Sequence, residues 1–323
     1  MINRIITFAI VVWPVQLLAG DIDQIRKLLD KMQHAAHMVS YDGTFVYSQN
    51  SQLSAMRIIH SADSKGERER LVSLDTSGRE VIRDAKSVTC FLPDSKAVVV
   101  EKKRPPVQFP PPFPKNIEHL TAQYTFTLKG EERVAGQLAQ KLDVQPKDHF
   151  RYGHQLWIDK KTGLLLKTHL LNEKGKPVEQ FMFTHITYLK HVPEKLLKPG
   201  VDSRDLIWYE AAGDVNLNIK NSTPKLAWQV KKIPSGFKRD HTRKHTMPRT
   251  NKPLEHLVYS DGLASISVFI EDKKDNDNLI GGTRMGAVNA HGRSINGYHI
   301  TAVGEVPHAT VKMISESIEY KDK

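Results

Sequence analysis

Three short runs of alternating apolar and polar residues, set within the 34 positions from Gly153 to Ile186, restrict this chain more than any other feature. The first is Gly153-His154-Gln155-Leu156-Trp157-Ile158-Asp159, ending at the turn Lys160-Lys161-Thr162-Gly163. The second runs from Leu164 to Leu171 and turns at Asn172 to Pro177, and Val178 to Ile186 returns. A period of two, with Gly, Asn, Asp and Lys at the breaks, is the pattern of consecutive antiparallel hairpins with one buried face. Such a meander needs apolar cover, from a helix or from a ligand.

The same grammar extends through the first two-thirds of the chain. Residues 21–38 predict a helix, with Ile22, Ile25, Leu28, Leu29 and Met32 at helical spacing. Tyr41 to Val100 reads as short strands broken at Asp63-Ser64-Lys65-Gly66, at Asp75 to Gly78 and at Pro93-Asp94. Tyr124 to Leu128, Ala139 to Val144 and the opening meander complete one curved antiparallel sheet. Between the two halves, Pro105 to Pro114 holds six prolines with Phe109 and Phe113. That stretch cannot join a ladder and favours polyproline II, as a lid over the sheet or as a stiff connector.

Val192 to Ser222 has weak periodicity and reads as a linker carrying Pro193, Pro199-Gly200 and Gly213. A second unit follows from Thr223. It has a strand at Trp228 to Ile233, a turn at Pro234-Ser235-Gly236-Phe237 and a hairpin across Ser260-Asp261-Gly262. A further pair is expected across His291-Gly292-Arg293, then a terminal helix from Pro307 to Ile318. The expected organisation is a leader at 1–20, a large domain at 21–192, a linker at 193–222 and a small domain at 223–323.

Arg4 followed by the apolar run Ile5 to Leu18 and by Ala19-Gly20 reads as a secretory signal peptide, cleaved before Asp21. In a bacterium the destination is the periplasm. Asp21 stands where a lipoprotein box would need cysteine. Cys90 is the only cysteine, so no disulfide framework exists, and its strand-like setting reads as a small buried hydrophobe.

No Gly-x-Ser-x-Gly, His-Glu-x-x-His or P-loop occurs, and the fifteen histidines lack ligand spacing. Neither catalytic residues, a metal site nor a cofactor is expected, and the chain reads as a binding protein rather than an enzyme. The formal charge is +11, and it is clustered. Lys231 to Lys252 carries Lys231, Lys232, Lys238, Arg239, Arg243, Lys244, Arg249 and Lys252 against Asp240, a formal +7 in 22 residues. That density predicts an anionic partner. An exported protein seldom meets nucleic acid, so phosphates of lipopolysaccharide or an acidic protein segment are the candidates.

The motifs Trp157 to Lys167, Glu179-Gln180-Phe181, Ile233-Pro234-Ser235-Gly236-Phe237, His256 to Phe269 and Val303-Gly304-Glu305-Val306-Pro307 together carry a resemblance. In this order they resemble the RseB/MucB family, periplasmic negative regulators of the sigma-E envelope-stress factor, over nearly the whole mature chain. The resemblance implies an α+β fold. Its large part is a LolA/LolB-like unclosed antiparallel β-barrel with helices; its small part is a C-terminal antiparallel sheet with one helix.

The resemblance also implies two partners: the periplasmic domain of a membrane anti-sigma factor, shielded from proteolysis, and lipopolysaccharide or lipoprotein acyl chains that release it. A free lipoprotein carrier of the LolA type is the alternative, against which the second domain argues. Alternation puts Phe45 with Tyr47 and Phe181 with Phe183 on one face each. With Trp157 they are expected to line the concave side of the sheet, Phe109 and Phe113 closing over it. The sequence leaves the oligomeric state open.

Overall fold

The computed structural model describes residues 19–50, 52–75, 77–102, 117–211, 228–246, 253–272 and 279–320. Phe109 and Phe113 lie outside them, as do the side chains of Arg243 and Lys244.

Helix α1 (Ala19–Met38) opens the described chain, beginning inside the expected leader. A first meander follows: β1 (Tyr41–Gln49), β2 (Gln52–Asp63), β3 (Gly66–Ser73), β4 (Glu80–Arg83), β5 (Ser87–Leu92) and β6 (Ala97–Lys102). A second is β7 (Tyr124–Val134), β8 (Gln137–Pro146), β9 (Gly153–Asp159), β10 (Leu165–Leu171) and β11 (Pro177–Tyr188). Pairing of β1 with β11 joins the two meanders edge to edge. After the short α2 (Glu194–Leu197), β12 (Ile207–Ala211) pairs in parallel with β6. The result is one open 12-stranded sheet in the order β12-β6-β5-β4-β3-β2-β1-β11-β10-β9-β8-β7.

The small domain holds β13 (Trp228–Val230), β14 (Lys238–Thr246), β15 (Pro253–Ser260), β16 (Ser265–Asp272), β17 (Gly281–Met285), β18 (Val288–Ile295), β19 (Tyr298–Gly304), α3 (His308–Glu316) and β20 (Ile318–Tyr320). Six of these strands form a sheet in the order β14-β15-β16-β19-β18-β17, and β13 pairs with β20. Val311 and Ile314 of α3 pack with Leu257, Ile266, Val268, Ile300 and Trp228.

Two expectations are corrected. Residues 207–211, expected within a linker, are the edge strand β12 of the large sheet. The pair expected across His291-Gly292-Arg293 is two hairpins, and those three residues lie inside β18. The chain turns instead at Asn296-Gly297, where φ is 49° and 80°. Two consecutive left-handed residues are what a two-residue hairpin turn requires.

Helix α1 is held in the sheet by Ile25, Leu29 and Met32, each 2% exposed, against Phe126, Leu142, Leu156, Ile158 and Leu165. Each such side chain contributes about 1.5–3 kcal/mol by leaving water. Gly163 lets the β9–β10 turn approach the helix: its φ is +88°, and a Cβ there would fall 2.8 Å from the Lys31 carbonyl oxygen.

Candidate functional site

Strand register aligns one row of residues across the half of the large sheet that runs from β1 to β12. The row is Gly43, Ile58, Leu71, Val81, Cys90, Val99 and Tyr209, each opposite the next. Ile58, at the inner end, is 2% exposed and packs with Phe45 and Phe183. Tyr209, at the outer end, is 52% exposed, beside Ile207 and Trp208. Leu71, Val81, Cys90 and Val99 between them are half-buried. An apolar strip therefore leaves the core and opens toward the β12 edge. On the other face, Ile59 is covered by Val192 and Leu197, which explains why β2 is apolar at both Ile58 and Ile59.

The neighbouring row of the same face is polar except at Val88: Tyr41, His60, Glu69, Arg83, Val88 and Glu101. His60 is almost fully buried, with Nδ1 2.8 Å from the Val39 carbonyl oxygen and Nε2 3.2 Å from Glu67. The other Glu67 oxygen lies 3.1 Å from Nδ1 of His37, on the last turn of α1. The hydrogen bond from His60 is the main reason the Glu67 carboxyl sits below its ordinary range, whereas burial pushes Glu69 up. Arg83 donates to Glu69 at 3.3 Å, so the row carries both signs of charge. An apolar strip with one charged wall suits an amphiphile, its chain on the strip and its polar group at the wall.

Phe45, Phe181 and Phe183 share the concave face, but they are 5%, 2% and 3% exposed. Their rings pack tilted or edge to face at 4.9–5.9 Å, beneath Tyr41 and in one cluster with Ala35 of α1. They form core. Tyr47 is half-buried and donates to Glu179 at 2.8 Å.

Trp157 is almost fully buried and belongs to the same apolar cluster as Phe45, Phe181 and Phe183. It falls between Leu156 and Ile158, which pack with α1, and register sets it opposite Lys141 and Lys167. Their Nζ atoms lie 4.9 and 4.2 Å from its ring centroid, and its Nε1 donates to Glu132 at 2.8 Å. His169 packs on the same ring at 4.9 Å. Burial first, then Lys167 and Lys141, hold that imidazole down at about 4. The unfolded chain takes up this proton near the ordinary histidine value, about 6.5, and the folded chain does not. The associated stability is therefore complete above about pH 6.5 and is lost as pH falls toward 4. Burial holds His154 down at about 4 as well, so melting curves across that range should show a slope that His169→Gln reduces and that His169→Gln with His154→Gln reduces further; a slope unchanged by His169→Gln would assign it to His154 and other groups.

The two domains meet over a polar, buried contact. Arg151, in the β8–β9 loop, is 0% exposed and donates from Nε to Asp261 of the small domain at 2.5 Å, whose side chain is also 0% exposed. Arg151 also reaches Asp148 and the Ser235 carbonyl oxygen, and its guanidinium lies 4.7 Å from the Phe237 ring centroid. Tyr124 donates to Asp261 at 2.9 Å, Asn289 to Tyr152 at 2.9 Å, and Thr310 to the Phe150 carbonyl oxygen at 2.8 Å. Asp261 shapes its own turn as well, accepting from the amides of Leu263 and Ala264 at 2.9 and 2.8 Å.

Of the basic run, Lys231, Lys232, Lys238 and Arg239 are exposed. Lys238 and Arg239 open β14, and Arg243 and Lys244 occupy register positions opposite His256 and Glu255 of β15. The sequence reading missed the row from Leu71 to Tyr209, because strand order alone brings it together. It also missed Arg151 with Asp261, residues 110 positions apart.

The architecture is that of a two-domain binding protein: an open sheet around a helix, docked on a smaller sheet with its own helix. The family model for the MucB/RseB N-terminal domain matches residues 24–201, and that for the MucB/RseB C-terminal domain matches residues 222–319. The chain is 33% identical over 298 residues to the sigma factor AlgU regulatory protein MucB of Pseudomonas aeruginosa, spanning 90% of this chain and 89% of that one. It is 26% identical over 300 residues to the sigma-E factor regulatory protein RseB of Haemophilus influenzae, spanning 92% and 91%. Among solved structures it is similar to MucB in complex with MucA(peri), with a TM-score of 0.68 and 31% identity over 92% of this chain and 99% of that one. It is also similar to the Pseudomonas aeruginosa MucA/MucB complex, with a TM-score of 0.70 and 30% identity over 93% and 100%. The chain belongs to the MucB/RseB family.

Proposed function

We propose that this chain is a periplasmic regulator that holds the periplasmic part of a membrane anti-sigma factor and shields it from proteolysis. Through that hold it restrains a sigma-E type envelope-stress response. Full-length similarity to a protein solved with its MucA partner supports the partner class. The observation that carries the sensing half is the apolar row from Ile58 to Tyr209 with its charged wall. We assign that row, rather than the buried Phe45, Phe181 and Phe183, to acyl chains of mislocalised lipopolysaccharide or lipoprotein. Each buried methylene contributes about 0.8 kcal/mol, so a few suffice to bias one domain arrangement over another.

Cys90 provides the test. It is the only cysteine, sits in the middle of the row and is half-buried. Burial first, then Glu101, raises its thiol, so alkylation is slow and sensitive to cover. A triacylated lipopeptide should slow maleimide labelling of Cys90 about tenfold at saturation, and Val99→Glu should remove the protection. Labelling at an unchanged rate, with lipopeptide shown bound by another method, would move the acyl site elsewhere. The partner assignment is tested by identifying the membrane protein that co-purifies with the chain from its own envelope.

A further inference from the structure

We propose that β14 receives the partner as an added strand: an extended, acidic peptide segment pairs along its free edge. This rests on the reading above, that the chain holds a segment of another protein. Among the described residues β14 is paired on one side only, with β15. An unpaired edge offers a row of backbone donors and acceptors to any extended chain. Its sequence, Lys238-Arg239-Asp240-His241-Thr242-Arg243-Lys244-His245-Thr246, contains no aliphatic or aromatic hydrocarbon side chain. Two copies meeting edge to edge would set four Lys and Arg of one against four of the other, which disfavours self-pairing. The same charges favour a strand that carries carboxylates. Strand addition of this kind takes its affinity from main-chain hydrogen bonds and its selectivity from side chains.

The placement of the charges favours a peptide over a lipid surface. Arg243 and Lys244 occupy consecutive register positions, opposite His256 and Glu255, and consecutive positions belong to opposite faces of a sheet. Lys238 and Arg239 are likewise consecutive and both exposed. Cations on both sides of an edge flank an extended chain lying along it, whereas a bilayer meets a single plane. Lys232, also exposed, extends the positive field beyond the strand, whereas Lys231 is paired with Glu319 at 3.5 Å.

The test uses the full mature chain and an acetylated dodecapeptide of alternating Glu and Thr. A second peptide carries N-methyl groups at alternate amides, which keeps its charge but blocks strand pairing, and a third replaces Glu with Lys. The acidic peptide should bind and protect β14 amides from hydrogen exchange. N-methylation should weaken it at least about tenfold, and the Lys peptide should not bind. Reversing Lys238, Arg239, Arg243 and Lys244 to Glu should also cost at least about tenfold, with their replacement by Gln as a milder variant should the reversal unfold the domain.

Equal binding of the N-methylated peptide, protection confined to other strands, or stronger capture by phosphatidylglycerol vesicles than by peptide would overturn strand addition. Co-purification separates the two readings. If the anti-sigma factor is captured equally by the reversed chain, strand addition fails and the proposed function stands. If the peptide behaves as expected but no anti-sigma factor is captured, the proposed function fails and strand addition stands.

Discussion

Replacing Asp261 with Ala is expected to destabilise the protein by about 3–5 kcal/mol, the cost of leaving one partner of a buried ion pair without the other. Both side chains are 0% exposed, so water cannot take the place of the lost carboxylate at Arg151. Asp148 remains, but its side chain is 28% exposed, and it reaches the guanidinium from its own side of the contact. The substitution also strips the Leu263 and Ala264 amides of their acceptor and Tyr124 of its partner. Urea or thermal unfolding measures the loss. Replacing both residues with leucine should recover much of it, because a buried pair exchanged for apolar groups is often near neutral. A single substitution costing under about 1 kcal/mol would mean that the contact opens readily in solution and that the domains are not docked as described.

Phe183→Ala should cost about 3–5 kcal/mol, the range for truncating a large aromatic in a close-packed core. Phe183 is 3% exposed and is surrounded by Tyr41, Phe45 and Phe181, with ring centroids at 5.7, 5.9 and 5.2 Å. Little around it can collapse into the space: Gly43 lies beneath the ring so closely that a Cβ there would be 2.6 Å from Cε1. Tyr209→Ala is the contrast. Tyr209 is 52% exposed, so its loss should change stability by no more than about 0.5 kcal/mol while weakening acyl binding. If Phe183→Ala melted like the native chain and lost lipopeptide instead, the phenylalanine cluster would be the cavity and the row to Tyr209 would not.

Where periodicity alone decides, the sequence was a sound guide. The helix at 21–38, the hairpins after Gly153 and the terminal helix each follow from spacing that survives in the fold. Trp157 was grouped by residue type with Phe45, Phe181 and Phe183, and the fold buries it in one cluster with them, as core rather than as open lining. Strand β12 was hidden for a different reason: five residues with Ile, Trp and Tyr in succession show no period, and their partner β6 lies about a hundred residues earlier. Asp261 was legible as a turn residue, which it is, but nothing local in sequence announces the arginine it also holds. Asn296-Gly297 carried a clear two-residue turn signal that the glycine at 292 obscured.

The edge-to-edge seam between β1 and β11 has a consequence for how the protein folds. Every other pairing within the two meanders links neighbours in sequence, and such hairpins form within microseconds. The seam joins Tyr41 to Tyr188 and Gln49 to Glu179, closing a loop of well over a hundred residues. Contacts of that span are slow, because chain entropy is lost before they form. Phe45, Phe181 and Phe183 flank this seam, so the principal aromatic core of the large domain would assemble last. Until it does, two amphipathic meanders expose their apolar faces and unpaired edges to any other unfolded chain in the same compartment.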